Sequence, residues 1–456
     1  MKTFKISEKS PTPLLYDFNI FINYLEENQI TLTKTNQYLR GKDLFKLNQL
    51  MTNPIEDVTT RTPQETYPQL HLFYNLILAG KLYEKEFKGK TKILLKSTDL
   101  LEKYQYLTMT EKYFFLLETF WIDADWRVLQ GGTFGKADVY TVTPVMEFLS
   151  QQSAGQKIDI QDTKHGQIRQ MMWDWEYYLL YFEIFGFWRV LIDEATRKQM
   201  SSRRATFAEM LIPTEFGIKM AKVLKEERDL ERWNLSYREA MGEWNVVPGS
   251  PLGEIDHDPI DELMRTFGEE KIRNILEKKE IEETKVEVWE EEKFFKPFQD
   301  LFVKGELQKT ISKKRSKDFV EGNYIFKVSL KRGLWRRIKI SSTNTLLDLH
   351  QIIQNAFDFD DDHLYAFFMS GQPWSKPKFT HPQDYDGIPV TEVKIGELGL
   401  KKGQEILYLF DYGDEWRFSV KLEKINTKEE LVESEIIDEK GDAPEQYPDF
   451  FDSGWE

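Results

Sequence analysis

The sequence predicts a multidomain α+β chain. A mainly helical N-terminal half with winged-helix-like modules precedes a small C-terminal α+β sheet, or partly closed barrel, with one packed helix. Three observations point there. Apolar residues recur at helical spacing through most of residues 1–241. From residue 323 the period changes to two. Net charge swings from +8 over residues 301–350 to −14 over 351–456, against −15 for the whole chain. The expected domains are 1–125, a first winged-helix-like module; 126–241, a second; 242–320, a linker and charged helical connector; and 321–456.

In the first module an apolar helix within 67–79 stops at Gly80. "KLYEKEF" and "KTKILLK" follow as hairpin strands, and Ser97 or Thr98 caps the next helix. In the second, the helix "QIRQMMWDWEYYLLYFEIFG" ends at Gly186. Strand "FWRVLID", a basic loop, strand "ATFAEMLI" and a helix capped by Thr214 come next. A shorter echo, strand then helix, covers 30–50. Lys85, Lys88, Lys90 and Lys92 on the first wing, and Arg197, Lys198, Arg203 and Arg204 on the second, suit phosphate contact. The helices before the wings suit buried or protein-contact roles better, since the second carries Trp173, Asp174, Trp175, Glu176 and Tyr177. "GEWNVVPGSPLGEIDHDPIDE" reads as a linker, and "KTISKKRSKDF" as a basic connector.

In the C-terminal region "YIFKVSLKRGLWRRIKI" is a hairpin around Arg332-Gly333, with Tyr324, Phe326, Val328 and Leu330 on one face. Thr343 is expected to cap the helix "TLLDLHQIIQNAF". "HLYAFFM" is a strand and "ILYLFDYGDEWRFSVKLEKI" the last hairpin. With Gly413-Asp414 as a two-residue turn, Leu407, Leu409, Trp416, Phe418 and Val420 share the buried face, with Asp411 at its end. A carboxylate there requires a partner: the Trp416 indole, Arg336 or Arg337, or a histidine.

Two site readings follow. Asp411 and Asp414 with His350 or His363 have the chemistry of a metal or acid–base site. The structural alternative has Asp411 holding the hairpin end, Asp414 solvated at the turn and the histidines hydrogen-bonded near the core edge. Second, Lys313, Lys314, Arg315, Lys331, Arg332, Arg336 and Arg337, with Tyr408, Phe410, Tyr412 and Arg417, interleave cations and aromatics as nucleic-acid surfaces do. The alternatives are internal pairing with the acidic 269–292 stretch and cover by another element. "GGTFGK" at 131–136 lacks phosphate-loop spacing, "DHD" at 256–258 has no second ligand cluster, and "DFDDDH" at 358–363 lacks the EF-hand pattern.

The absence of cysteine excludes disulfides and thiolate metal sites. No cofactor is expected, and no stretch has the length of a membrane span, so a cytoplasmic setting is expected.

The stretches "YIFKVSLKRGLWRRIKI", "TLLDLHQIIQNAFDFDDDHLYAFF" and "LYLFDYGDEWRFSVKLEKI", with the tail "EKGDAPEQYPDF", resemble the plasmid pRiA4b ORF-3-like family over about residues 320–450. Members are also described as TnpR-like passenger proteins of insertion elements. The resemblance implies a small α+β domain of unestablished activity and a setting among mobile DNA. A serine or tyrosine recombinase needs its nucleophile within an Arg-rich active site, and the sequence carries no such constellation. The expected function is a non-enzymatic binding or adaptor protein with a protein partner or nucleic acid. The alternative is a metal-dependent hydrolase or nuclease built on Asp411, Asp414 and a histidine.

Overall fold

The computed structural model describes residues 3–88, 92–130, 139–160, 175, 177–192, 208–241, 243, 246–252, 292–311, 313, 319–375, 377–384 and 387–447. It divides into two compact units: Met1–Tyr237 with Val247–Pro251 and Trp289–Lys313, and Lys314–Glu456 with two shorter stretches, Arg238–Val246 and Leu252–Val288. No described helix is long and apolar enough to cross a membrane.

The first unit is mainly helical. Helix Pro68–Ala79 starts on a proline and is capped by Gly80, as the sequence leads one to expect. The antiparallel hairpin β1 (Tyr83–Lys88) and β2 (Lys92–Ser97) follows. Thr98 then accepts from the Leu100 amide and opens helix Asp99–Gln105. A second small sheet joins β3 (Ile158–Asp159), β4 (Trp188–Ile192) and β5 (Ala208–Pro213) in the order β3-β5-β4. Thr214 caps helix Glu215–Glu227 through the Gly217 amide.

One hydrophobic core runs through this unit from Ile6 to Ile311 and includes Phe120, Trp126, Tyr178 and Phe182. The boundary expected at residue 125 therefore falls inside a single core. The stretch expected as a basic connector also enters this unit. Helix Met109–Glu118 continues into a π-helical turn, Thr119–Asp123. There the Lys313 ammonium is buried, bonded to Thr119 and 2.7 Å from Asp123 Oδ2. The second wing's Arg197, Lys198, Arg203 and Arg204, together with Lys90, Trp173, Asp174, Glu176, "GGTFGK", "DHD" and the acidic 269–291 stretch, lie outside the described residues.

In the second unit β6 (Asn323–Lys331) and β7 (Leu334–Ser341) form the expected hairpin, followed by helix Leu346–Phe357. The helix begins two residues later than expected. Thr345, not Thr343, is its cap, because Asp348 stands at the position that completes a reciprocal capping box. β8 (Tyr365–Phe368), β9 (Lys378–Thr380), β10 (Ile388–Pro389), β11 (Glu405–Phe410), β12 (Trp416–Asn426) and β13 (Ser434–Lys440) complete the sheet. Its order is β10-β9-β8-β11-β12-β6-β7-β13, an open sheet with two edges rather than a partly closed barrel.

The last hairpin is one residue out of the expected register. Ile406 faces Val420, Tyr408 faces Phe418 and Phe410 faces Trp416. The connection is not a two-residue turn. It spans 411–415, with Asp411 and Glu415 in the left-handed region and the Glu415 amide donating to the Asp411 carbonyl at 2.7 Å. With a side-chain period of two, a one-residue slip exchanges the two faces. Tyr408 and Phe410 consequently join the core beneath helix Leu346–Phe357. Leu407 and Leu409 form a small cluster with Ala366 and Phe368 on the opposite face.

Candidate functional site

The second unit brings chemistry-bearing side chains together in three places: a polar cluster in its core, the rim of the 411–415 loop, and the sheet face opposite the helix. His350 and Gln354, one turn apart, both point inward from helix Leu346–Phe357. The Gln354 amide donates to the Tyr408 hydroxyl at 2.7 Å, and that hydroxyl lies 2.7 Å from His350 Nδ1. The His350 ring stacks on Tyr365 with centroids 3.6 Å apart and planes 6° apart. Its Nε2 approaches Asp361 Oδ1 at 2.9 Å but outside hydrogen-bond alignment. Gln354 Oε1 and the Tyr365 hydroxyl are buried without a partner among the described residues. His350 is completely buried. Burial lowers its pKa against the raising effect of Asp361, and burial raises those of Tyr365 and Tyr408. The cluster favours neutral groups and is closed to a bulky substrate.

Asp411 is 8% exposed. Its Oδ1 accepts from the Gly413 amide at 2.8 Å and, more weakly, from the Asp414 amide at 3.4 Å, so the carboxylate shapes its own loop. Its Oδ2 lies 3.5 Å from His363 Nε2. His363 is thus the histidine that meets Asp411, whereas His350 is engaged with Tyr408 and Tyr365. The Asp414 side chain is exposed. The acids of "DFDDDH" disperse: Asp358 ends the helix, the Asp360 amide bonds Gln446, Asp361 approaches His350, and Asp362 accepts from Tyr447. Among the described residues no group of three or more His, Asp or Glu side chains could hold a metal.

The expected basic surface is largely dissolved by the fold. Arg336 is buried, donating to the Ala356, Trp335, Lys440 and Gly441 carbonyls beneath Phe357. Its parity in β7 is that of Leu334, Ile338 and Ile340, all core residues. Tyr408 and Phe410 are core residues, and Lys313 is sealed in the first unit. Tyr412 is half-buried and donates to Asp384 at 2.6 Å. Arg417 is exposed and pairs with Glu415. Lys331 and Arg332 are exposed at the β6–β7 turn, and Lys314 and Arg315 lie outside the described residues.

A different basic set appears on the opposite face. Lys421 of β12 is in register with Lys327 of β6, and Lys327 with Arg337 of β7. Three cations therefore lie in one row across three adjacent strands. The next row is Ser419, Ser329 and Trp335. Lys327 Nζ lies 4.8 Å and the Arg337 guanidinium 5.0 Å from the Trp335 ring centre. Arg337 also pairs with Glu423 at 2.7 Å and with Asp438. Among the described residues, Lys327 and Lys421 have no carboxylate at ion-pairing distance. Like charges directly opposite on a sheet are unfavourable. Sequence reasoning missed Lys327, because the row exists only once three strands are in register.

Residues 323–447 match the family model described as plasmid pRiA4b ORF-3-like protein. An uncharacterized protein of Sinorhizobium fredii, y4hQ, is 27% identical over 92 residues, 20% of this chain and 45% of that protein. The chain thus spans less than half the length of this curated relative. A crystal structure of a protein of unknown function from Methanosarcina mazei Go1 is 32% identical, covering 27% of this chain and 72% of that one, with a TM-score of 0.23.

Proposed function

Starting from residues 323–447 as a plasmid pRiA4b ORF-3-like domain, we propose that this chain works by binding rather than catalysis, and that its C-terminal sheet takes single-stranded nucleic acid on the face bearing Lys421, Lys327 and Arg337. The observation that carries this reading is the register of those three cations, two of them without a carboxylate at ion-pairing distance among the described residues, Glu405 of β11 standing opposite Lys421 in the ladder. A phosphate backbone laid across β12, β6 and β7 relieves their mutual repulsion. Ser329 and Ser419 beside the row offer hydroxyl donors to the same backbone.

We also propose winged-helix kinship for the first unit and an association with mobile DNA. The first is supported by the order helix Pro68–Ala79, β1, β2, helix Asp99–Gln105, and by Lys85, Lys88 and Lys92 on the hairpin. The test is fluorescence anisotropy of a labelled twenty-nucleotide oligothymidine against salt. Three phosphate contacts predict a log–log slope of about −2. The K327E/K421E variant should bind at least tenfold more weakly. Binding indifferent to salt and to these substitutions would remove the nucleic-acid reading.

The 3.5 Å approach of His363 to Asp411 favours a second reading, a metal-dependent hydrolase or nuclease. That reading requires a melting shift with magnesium, manganese, calcium or zinc that Asp411→Ala abolishes, together with metal-dependent cleavage of the oligonucleotide.

A further inference from the structure

The first unit contains a cavity of about 440 Å³ where the start of helix Leu14–Glu27, the Met51–Ile55 loop, the start of helix Pro68–Ala79 and the end of helix Tyr177–Ile184 meet. Its wall is predominantly apolar, with Leu14, Tyr67, Leu180 and Trp188 among the lining residues. Trp188 is fixed by its indole N–H, which donates to the Leu179 carbonyl at 2.8 Å. Gly186, at φ +87° with Pro11 packed against it, lets the chain turn from the helix into β4 along this wall.

The charges of the lining are arranged unevenly. Both lining cations, Lys9 and Arg189, are exposed, and Lys9 Nζ sits 4.3 Å from the ring centre of Tyr16. Both lining carboxylates lie deeper. Asp17 is 1% exposed and satisfied by neutral donors alone: the Thr52 amide, the Thr52 hydroxyl and the Gln69 amide, at 2.7–2.9 Å. Half-buried Glu183 accepts from the Val190 amide at 2.8 Å. Neither is ion-paired among the described residues. Burial raises the Glu183 pKa, against the lowering effects of the Val190 amide and Arg189. An apolar chamber of this size bordered by two carboxylates that have no ion pair among the described residues, with Arg189 acting on Glu183 only at longer range, is electrostatically suited to a positively charged guest.

We propose that this cavity binds a small organic cation, a primary ammonium on an apolar body, with the ammonium against Glu183 and the body along Trp188, Tyr67 and Leu180. This site is independent of the sheet face assigned above. Asp17 contributes field rather than contact, because both of its oxygens already accept from the protein.

Isothermal titration of the full chain with three probes of one shape tests the proposal: 4-phenylbutylamine, 4-phenylbutan-1-ol and 4-phenylbutanoate. The amine should bind saturably, and the alcohol and acid at least tenfold more weakly. Glu183→Gln keeps an acceptor for the Val190 amide and should weaken the amine about tenfold or more while leaving the alcohol unchanged. Leu180→Trp fills the chamber and should remove amine binding with the far-ultraviolet circular dichroism unaltered. The comparison of amine with alcohol uses the wild-type chain and survives any folding defect in a variant. Equal binding of all three probes, no binding of the amine at millimolar concentration, or an unchanged amine affinity in a folded Glu183→Gln chain would overturn it.

Discussion

The two units bury polar aromatic groups in opposite ways. In the first unit, several core aromatics each donate to one backbone carbonyl, while Tyr83 and Trp175 donate to the Glu26 and Thr141 side chains. Tyr113 donates to Phe185, Trp121 to Arg228, Trp126 to Phe120, Tyr181 to Leu129 and Trp188 to Leu179, at 2.7–2.9 Å. In the second unit, His350 and Gln354 both bond the Tyr408 hydroxyl, while Gln354 Oε1, the Tyr365 hydroxyl and the Trp416 indole nitrogen are buried without a partner among the described residues. Helices leave carbonyls free at their ends, and side chains can cap them. Most sheet carbonyls are used by the ladder, so fewer remain for side chains beneath a sheet, although Tyr324 reaches the Val320 carbonyl and Arg336 the Ala356 carbonyl. The first unit therefore has many independent anchors, and the second has one coupled cluster.

Truncation of a large aromatic should produce the greatest effect. Trp126 is 2% exposed and stacks on Tyr178 at 4.5 Å. Trp126→Ala should cost about 4 kcal/mol in urea denaturation of the full chain. A loss below about 1 kcal/mol would mean the first core is not packed as described.

Deleting one hydroxyl in each unit sharpens the contrast. Tyr408→Phe strands both His350 Nδ1 and the Gln354 amide and should cost about 2–3 kcal/mol. Tyr113→Phe strands one carbonyl and should cost about 1 kcal/mol. Equal losses would break the comparison.

Capping should be a smaller term and alike in both units. Thr345→Ala and Thr214→Ala each remove a side-chain cap and should cost about 1 kcal/mol. A markedly larger loss at Thr345 would assign extra value to its reciprocal bond with Asp348.

Acidification should weaken both units slightly, since among the described residues each buries one neutral histidine. His71 bonds Gln64 and the Val128 carbonyl, and burial lowers its pKa, as it does that of His350. A base whose folded pKa lies below its unfolded value is protonated preferentially in the unfolded chain. The associated stability is complete above about pH 6.5 and is lost as pH falls toward the lowered folded value. Unfolding free energies from pH 8 to pH 5 should fall over the acidic half of that range. His350→Asn should flatten part of the fall, and an unchanged profile would contradict burial of a neutral ring.

Local signals proved legible at particular residues. Gly80, Thr98 and Thr214 end or begin helices where their chemistry requires, and the period-two stretches are strands. The inward parity of Arg336 was also visible, since Leu334, Ile338 and Ile340 flank it at alternate positions. Its charge suggested a surface role, yet the Ala356 and Gly441 carbonyls satisfy it inside. The hairpin register was not legible. "FDYGDEW" accommodates a two-residue turn at Gly413-Asp414 or a five-residue connection from Asp411 to Glu415, and only the latter puts Tyr408 and Phe410 in the core.

By itself, the sequence determined the alternation of the C-terminal strands, the helix caps and the change from helical to strand period near residue 323, because these depend on neighbours a few residues apart. Tertiary structure alone decided which parity of β11 faces inward, that Lys327 and Lys421 share a row, that His363 rather than His350 meets Asp411, and that Glu183 borders a chamber. Each of those outcomes depends on loop closure and strand pairing between distant residues, where a shift of one position exchanges core for surface.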